Sequence, residues 1–137
     1  MRIVLDTNVL LVSFSSNSDL HWVWKSLLDN RFSLCVTTDI LLEYEEVITR
    51  HVGYTIAQAV LDAISDLPNL IFVTKHIYWQ LIEQDPEDNK FVDCAIACNA
   101  KHIVSEDKHF NVLKQISFPK IEVIRVAAFK ELLEEQR

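Results

Sequence analysis

The sequence predicts a three-layer α/β/α domain, in which helices cover both faces of a mostly parallel sheet of about five strands. Short β-branched runs alternate along the chain with longer segments of helical periodicity, which is typical of crossovers between parallel strands. The strands are continuous apolar runs, as expected for strands that are buried on both faces. If the chain formed two domains, each core would be built from only roughly 70 residues. We therefore expect one domain spanning residues 1–137.

Five apolar runs supply the strands, and helical spacing fills the segments between them. The predicted strands are Ile3–Leu5, Ser33–Thr37, Leu70–Val73, His102–Ser105 and Ile121–Val126. A first helical turn is predicted at Val9–Val12, and two helices are predicted to begin after the N-caps Ser18 and Thr38. Further helices are predicted at Thr55–Leu67, at Asp88–Ala100, from Asp107 to about Ile116, and at the C-terminus. The stretch Ile77–Ile82 fits a strand or a helix, and Asp85–Asp88 is typical of a turn.

Glycine content and charge exclude several functional classes. Gly53 is the only glycine, whereas a dinucleotide fingerprint needs three glycines and a Walker A loop needs two. The net charge is −7. Because phosphate neutralisation supplies most of the affinity of a passive nucleic-acid binder, such an acidic chain must avoid nucleic acid or reach it through bound cations or local basic patches.

Cysteine usage and hydropathy predict the compartment. Cys35, Cys94 and Cys98 lie in apolar runs, and an odd number without a CxxC pair does not resemble a disulfide framework or a zinc site. We therefore expect buried free thiols in a cytoplasmic protein. No apolar run approaches the about 20 residues of a membrane span, and we expect no secretory signal.

Carboxylates follow several of the predicted strands. Asp6 comes directly after the first strand, Asp107 two residues after the fourth, and Glu43 near the start of the helix that follows the second. Asp88 and Asp93 begin the helix that precedes the fourth strand. Because sites in parallel sheets form at the carboxyl ends of the strands, we expect these acids to meet at one edge. The structural alternatives are a helix cap, a turn residue and a solvent-facing helix position.

Asp93 is the hardest of these acids to explain structurally. Its helix carries apolar side chains in nearly every direction, which is typical of a buried helix. A buried carboxylate is costly unless it is paired, hydrogen-bonded or bound to a metal. A cation is therefore a candidate partner for this acid.

Several acids that converge from different strand ends repel one another, and a hard divalent cation removes that cost. Mg²⁺ and Mn²⁺ favour oxygen ligands. Such ions generate a nucleophilic water and stabilise charge on a phosphoryl group. The residues therefore predict phosphodiester hydrolysis as the reaction class, without a choice between DNA and RNA.

Four segments of the chain resemble the motifs of PIN-domain nucleases. Ile3–Leu10 resembles the opening strand with its Asp-Thr-Asn segment, and Glu43 stands where the family has its helix glutamate. Asp85–Ala95 resembles the third acidic motif, and Ile103–Phe110 resembles the fourth. The motifs occur in the family's order along nearly the whole chain. Glu106 departs from the pattern, which often has a small residue there, and is either a further ligand or merely exposed.

The resemblance implies a Mg²⁺- or Mn²⁺-dependent ribonuclease similar to the VapC toxins. It implies an acidic quartet of catalytic metal ligands, with Asp88 as a further ligand or a helix cap. The quartet is Asp6, Glu43, Asp93 and Asp107. Many small members of the family form homodimers and are paired with an antitoxin that covers the acidic pocket. RNA as substrate, a homodimer and an antitoxin partner follow as expectations.

Four polar residues near the acidic motifs are predicted to support the site. The resemblance implies that Asn8 orients Asp6 or a metal-bound water, and Asn89 lies one turn before Asp93 on the same helix face. Lys90 and Lys108 flank two of the acidic motifs, and we expect them to contact RNA phosphates. Exposed solubilising charge is the alternative for both lysines.

Two other functions compete with the nuclease. A PIN-like module would bind RNA or a protein without cutting it, although the acids needed for metal binding are all present. A phosphoacceptor receiver domain wants paired acids after its first strand, and Asp6-Thr7-Asn8 offers one acid only. The receiver domain is therefore the least favoured of the three.

Overall fold

A parallel five-stranded sheet forms the centre of the structure, a computed structural model that describes residues 1–75, 77–82 and 86–136. The strand order is β3-β2-β1-β4-β5, and every neighbouring pair is parallel. The strands are β1 (Arg2–Leu5), β2 (Ser33–Val36), β3 (Leu70–Phe72), β4 (His102–Val104) and β5 (Glu122–Ile124). The predicted α/β/α class is confirmed.

Helices connect the strands through the described residues. They are α1 (Thr7–Ser13), α2 (His21–Leu28), α3 (Thr38–Val52), α4 (Tyr54–Ser65), α5 (Asn89–Cys98) and α6 (Val126–Glu135), with 3₁₀ helices at Pro86–Asp88 and Lys108–Gln115. The ambiguous stretch Ile77–Ile82 forms neither helix nor strand. The predicted turn begins at Asp85, which lies outside the described residues. None of the described helices is long and apolar enough to cross a bilayer.

The strand order places a crevice between β1 and β4. The chain adds β2 and β3 on one side of β1 and then crosses back to place β4 and β5 on the other. Right-handed crossovers then put the two halves' helices on opposite faces, and the crevice opens at the carboxyl ends of β1 and β4. Leu5 pairs with Val104, so Asp6 and Ser105, which follow them, lie side by side.

Local side-chain chemistry sets the bounds of α3. Thr37 has an extended backbone, and its Oγ1 accepts the N–H of Ile40 at 3.4 Å. The N-cap is therefore Thr37, one residue before the predicted Thr38. At the other end Gly53 has a φ of 91°, a conformation that costs glycine little because it has no Cβ. This glycine lets α4 follow α3 directly.

Tyr44 ties α3 to the end of β1. Its side chain is fully buried, and its hydroxyl donates to the carbonyl of Leu5 at 2.6 Å. Burial raises the pKa of Tyr44 well above its ordinary value, so the hydroxyl stays protonated and remains a donor. The bond positions the backbone just before Asp6 relative to the helix that carries Glu43.

The variant Tyr44→Phe is expected to lower the free energy of unfolding by about 1 to 3 kcal/mol, because it takes a buried donor from the Leu5 carbonyl. Urea titration followed by circular dichroism measures the loss. The matched control is Tyr54→Phe, since Tyr54 is 69% exposed and its hydroxyl should contribute little. Equal stability of the two variants would contradict the role given to Tyr44.

The cysteines correct one sequence-based expectation. Cys35 on β2 and Cys98 on α5 form a disulfide across a separation of 63 residues, so the expectation of free thiols was wrong for both. The physical reason is tertiary, since α5 packs on β2 and brings two apolar runs together. Cys94 is free and buried, and burial raises the pKa of its thiol to about 12.

Thiol titration tests this pairing directly. The unreduced chain, unfolded in denaturant, is expected to show one reactive thiol, that of Cys94, and three after reduction. The native chain should react slowly, because a buried thiol with a raised pKa forms little thiolate. Three reactive thiols before reduction would contradict the disulfide.

Candidate active site

Asp6 lies at the switch point of the sheet and is buried, with 7% of its surface exposed. Its backbone N–H donates to the carbonyl of Val104 at 3.0 Å, and its Oδ2 accepts the hydroxyl of Ser105 at 2.7 Å. Its side chain makes no capping bond to α1. The helix-cap alternative therefore does not account for this carboxylate.

Two further carboxylates act on Asp6. Burial is the largest cause that raises the pKa of Asp6, and the negative charges of Asp107 and Glu43 raise it further. The Ser105 hydroxyl and the N–H of Thr7 oppose this rise. Asp107 and Glu43 thus both lie close enough to repel Asp6.

Asp107 is fixed by the turn that follows β4. Its backbone N–H donates to the Ser105 hydroxyl at 2.9 Å, so the same hydroxyl contacts both Asp6 and the backbone of Asp107. The Asp107 Oδ1 accepts the N–H of His109 at 2.9 Å and caps the 3₁₀ helix Lys108–Gln115. Capping and site formation are therefore combined in one side chain.

Asp88, Asp107 and His109 form a cluster with the chemistry of a metal site. Each offers one ligand atom, and these atoms all lie within 4.8 Å of one another. His109 Nδ1 is 3.5 Å from Asp107 Oδ1 and 3.9 Å from Asp88 Oδ2. Asp88 is buried at 9% exposure and makes no side-chain cap to α5. Carboxylate oxygens and an imidazole suit a divalent cation such as Mn²⁺.

Glu43 contacts both a hydroxyl and an ammonium group. The Thr7 hydroxyl donates to its Oε2, and Lys90 Nζ donates to its Oε1 at 2.9 Å. Lys90 also reaches Glu87 at 3.1 Å. Burial alone would lower the pKa of Lys90, but its bonds to both glutamates outweigh this and raise it. The lysine predicted to contact RNA phosphates is here an ion-pair partner of a predicted catalytic acid.

Asp93 belongs to a neighbouring group of residues. It is 3% exposed, and its Oδ1 accepts the N–H of Trp79 at 3.1 Å. Together with Asp39 and Lys75 it lines a cavity of about 700 Å³. Burial is the largest cause that raises its pKa, the Trp79 N–H and the Lys75 charge oppose this, and the Asp39 charge adds to it. The acid that acts on Asp93 is thus Asp39, whereas those that act on Asp6 are Asp107 and Glu43.

Local sequence did not indicate the partner of Asp93. Lys90 lies three residues earlier on the same helix, yet its ammonium goes to glutamates. Lys75 comes from the segment after β3 and bonds Asp39. Only the packing of this segment over α5 brings an ammonium group near Asp93.

The remaining predicted residues have distinct surroundings. Asn8 is exposed. Asn89 accepts the N–H of Ile82 and donates to its carbonyl, both at 2.9 Å, so it fastens the end of residues 77–82 to α5. Glu106 accepts the N–H of Val126 at 2.9 Å and thereby satisfies the start of α6. Lys108 is exposed beside Asp107.

Comparison with known proteins identifies the family. The model of the PIN domain family matches residues 2–109, and the chain belongs to this family. The resemblance seen in the four motifs is thereby confirmed.

A solved structure supports the fold. The chain is similar to one in the crystal structure of VapBC2 from Rickettsia felis bound to a DNA fragment from their promoter. The TM-score is 0.64 at 20% identity, covering 91% of this chain and 98% of the other. At this identity the likeness is one of fold. No curated protein matches the sequence.

Sequence reasoning assigned no role to three residues that contact or complete the acidic centre. Ser105 and Thr7 hold Asp6 and Glu43 through their hydroxyls, and His109 completes the cluster with Asp88. Ser105 and Thr7 stand inside two of the acidic motifs, so their positions were a usable signal. His109 also stands inside the fourth motif, but no ligand spacing indicated its partners, because the 3₁₀ turn sets them.

The metal-free protein should become more stable when Asp6 is replaced by Asn. A raised folded-state pKa means that stability falls as pH rises through that pKa, since the ionised carboxylate opposes folding. In EDTA at neutral pH, Asp6→Asn should therefore unfold at a higher urea concentration than the wild type. The difference should shrink as the pH is lowered and Asp6 becomes protonated.

The matched control for this measurement is Asp62→Asn, since Asp62 is an exposed acid on α4. Its effect should be small and should vary little with pH. If Asp6→Asn were less stable than the wild type at neutral pH, the repulsion assigned to the acidic centre would be wrong.

Proposed function

We propose that this PIN-domain protein is a Mg²⁺- or Mn²⁺-dependent endoribonuclease that hydrolyses RNA phosphodiester bonds. The observation that carries the proposal is the gathering of Asp88, Asp107 and His109 ligand atoms within 4.8 Å, next to the buried Asp6. Family membership supports nuclease chemistry, and the repulsion among these acids supports a cation. RNA rather than DNA rests on the resemblance of the motifs to ribonucleases.

The ligand set follows the geometry of the acids. Asp6, Asp88 and Asp107 would hold the cation, with Glu43 joining them and His109 orienting the two later aspartates. Direct contact is assigned to Asp88 in place of Asp93, whose described contacts lie in the neighbouring cavity. A bound Mg²⁺ or Mn²⁺ supplies a nucleophile at neutral pH and stabilises phosphoryl charge.

The chain's own residues do the positioning. Ser105 holds the Asp6 carboxylate beside the Asp107 backbone, because its hydroxyl is hydrogen-bonded to both, at 2.7 and 2.9 Å. Thr7 and Lys90 hold the two oxygens of Glu43. Burial of Asp6 excludes water from its inner side. Because these side chains are already held in place, the site needs little reorganisation when a phosphate binds.

Cleavage assays on single-stranded RNA test this assignment. The wild type is expected to cut in Mg²⁺ or Mn²⁺ and to stop in EDTA. Asp88→Asn and Asp107→Asn should each reduce kcat/KM by about 100-fold or more, the scale of losing a group that stabilises the transition state. Asp93→Asn, the matched variant on the adjoining helix α5, should retain most of the activity.

Three outcomes would count against the assignment. Equal activity in all variants would mean that a contaminating nuclease does the cutting. A greater loss of activity in Asp93→Asn than in Asp88→Asn would indicate that Asp93, rather than Asp88, contacts the metal. No cleavage together with no calorimetric Mn²⁺ binding would favour the alternative, a PIN-like module that binds RNA or protein without cutting it.

The biological role proposed with this activity is the toxin of a toxin–antitoxin pair, acting as a homodimer. A cytoplasmic location is proposed from this role alone, since the disulfide between Cys35 and Cys98 removes the support expected from free thiols. The similar fold in the VapBC2 complex supports this role. A short neighbouring gene with a DNA-binding pattern would support it further. An antitoxin that covers the acidic pocket should inhibit cleavage when the two chains are mixed.

A further inference from the structure

One exposed ridge leads away from the acidic centre along the 3₁₀ helix Lys108–Gln115. Side chains three residues apart eclipse one another in a 3₁₀ helix, so Lys108, Asn111 and Lys114 share one face. All three are exposed, whereas Phe110 and Leu113 on the other side are buried. The ridge begins beside Asp107, which caps this helix, and Lys114 lies about 12 Å along it from Lys108 at the 3₁₀ rise.

An aromatic groove follows the ridge in the chain. Phe118 is 80% exposed, and Trp79 meets its ring edge-on, with centroids 6.4 Å apart and planes at 81°. The ring lines a groove of about 500 Å³ together with Lys101, Lys120 and Ile96. We call this the Phe118 groove. Phe118 is thus exposed, and its contact with Trp79 fixes its orientation. Its ring therefore presents a flat apolar surface to solvent.

The ridge and the Phe118 groove are a local basic region in an acidic chain. Residues 108–121 contain three lysines and no aspartate or glutamate, although the net charge is −7. Lys75 and Lys90 are taken up in ion pairs. By contrast, no ion pair is formed by the ammonium groups of the ridge and groove within residues 1–75, 77–82 and 86–136.

One carboxylate borders the groove, that of Glu122. Its side chain is 61% exposed and lies 3.8 Å from His102 Nε2. The groove is therefore bordered by one carboxylate and two ammonium groups, those of Lys101 and Lys120, and its charge balance is positive.

We infer that this surface binds a single-stranded RNA segment that flanks the cleavage site. Its phosphates follow Lys108 and Lys114 along the ridge, and one base stacks on Phe118 between Lys101 and Lys120. Lysines spaced along a path and an exposed ring match the phosphates and bases of a single strand, and such stacking tolerates any base. The inference rests on the proposed ribonuclease function and gives that acidic protein its attractive contact with RNA.

Binding in EDTA, where cutting is prevented, tests the surface. The wild type should bind an RNA of about 16 nucleotides more tightly than one of about four, by fluorescence anisotropy. Phe118→Ala should weaken binding of the long RNA at least about five-fold, the scale of one lost stacking contact. The double variant Lys108→Gln, Lys114→Gln should lower the salt slope of the affinity by about 1.4, since each phosphate contact on a single strand contributes about 0.7.

Matched controls remove the same groups elsewhere. Tyr54→Ala deletes an exposed aromatic side chain on α4, and the double variant Lys25→Gln, Lys130→Gln deletes two exposed lysines on α2 and α6. Neither should change the affinity or the salt slope. Circular dichroism of every variant checks that the fold is intact.

The outcomes separate the two proposals. If the wild type cuts and binds RNA while the Phe118 and lysine variants match their controls, the RNA surface is wrong and the ribonuclease stands. The groove would then be free for a protein partner such as an antitoxin segment. If the wild type neither binds nor cuts RNA, both proposals fall.

Discussion

The contact on which the acidic centre depends is the Ser105 hydroxyl between the ends of β1 and β4. It donates to the buried Asp6 carboxylate and accepts the backbone N–H of Asp107. A hydroxyl can satisfy and orient a carboxylate, but it cannot neutralise one. The parallel pairing of Leu5 with Val104 therefore forces negative charges together at the switch point and leaves their repulsion in place. A divalent cation is the species that removes this cost without disturbing the strands.

Ammonium groups divide the acids of this region into two groups. Lys75 is paired with Asp39 and acts on Asp93, so those acids have a compensating charge within the cavity that they line. Lys90 stands at the boundary, because it bonds Glu43 on α3 from the first turn of α5. Asp6 receives only hydroxyl and backbone donors among its strongest interactions. The site with unrelieved charge is thus the one that follows β1 and β4.

Under the proposed function an acidic protein must attract an acidic substrate, and the distribution of charge in this fold offers a way. The acids concentrate where β1 and β4 end, where a cation would reverse the local sign. Several lysines lie instead on the 3₁₀ helix and the groove beyond it, outside the ion pairs of the centre. The turn after β4 belongs to both regions, since Asp107 is an acid of the centre and also the cap of the 3₁₀ helix. Among the described residues, the lysines of this helix form no ion pair with the acids of the centre.

Alternation of short apolar runs with helical segments was sufficient to predict the sheet and its helices, because burial on both faces imposes a continuous apolar strand. The placement of Asp6 and Asp107 at one edge was also predictable, since a carboxylate that follows a parallel strand within a few residues lies at the strand's carboxyl end. The surroundings of Asp88 and Asp93 were harder to predict. Asp88 ends the 3₁₀ helix Pro86–Asp88 and Asp93 lies within α5, so their neighbours depend on how these elements pack.

Tertiary packing decided what local spacing leaves open. The disulfide joins residues 63 positions apart because α5 lies on β2, and no CxxC spacing signals that contact. Lys75 reaches Asp39 and the surroundings of Asp93 only because the segment after β3 folds over α5. The sequence by itself determined the layers, the strand ends and the chemistry of the acids, since these follow from periodicity and residue type. The structure decided which acids meet which cations, because that depends on distances between elements far apart in the chain.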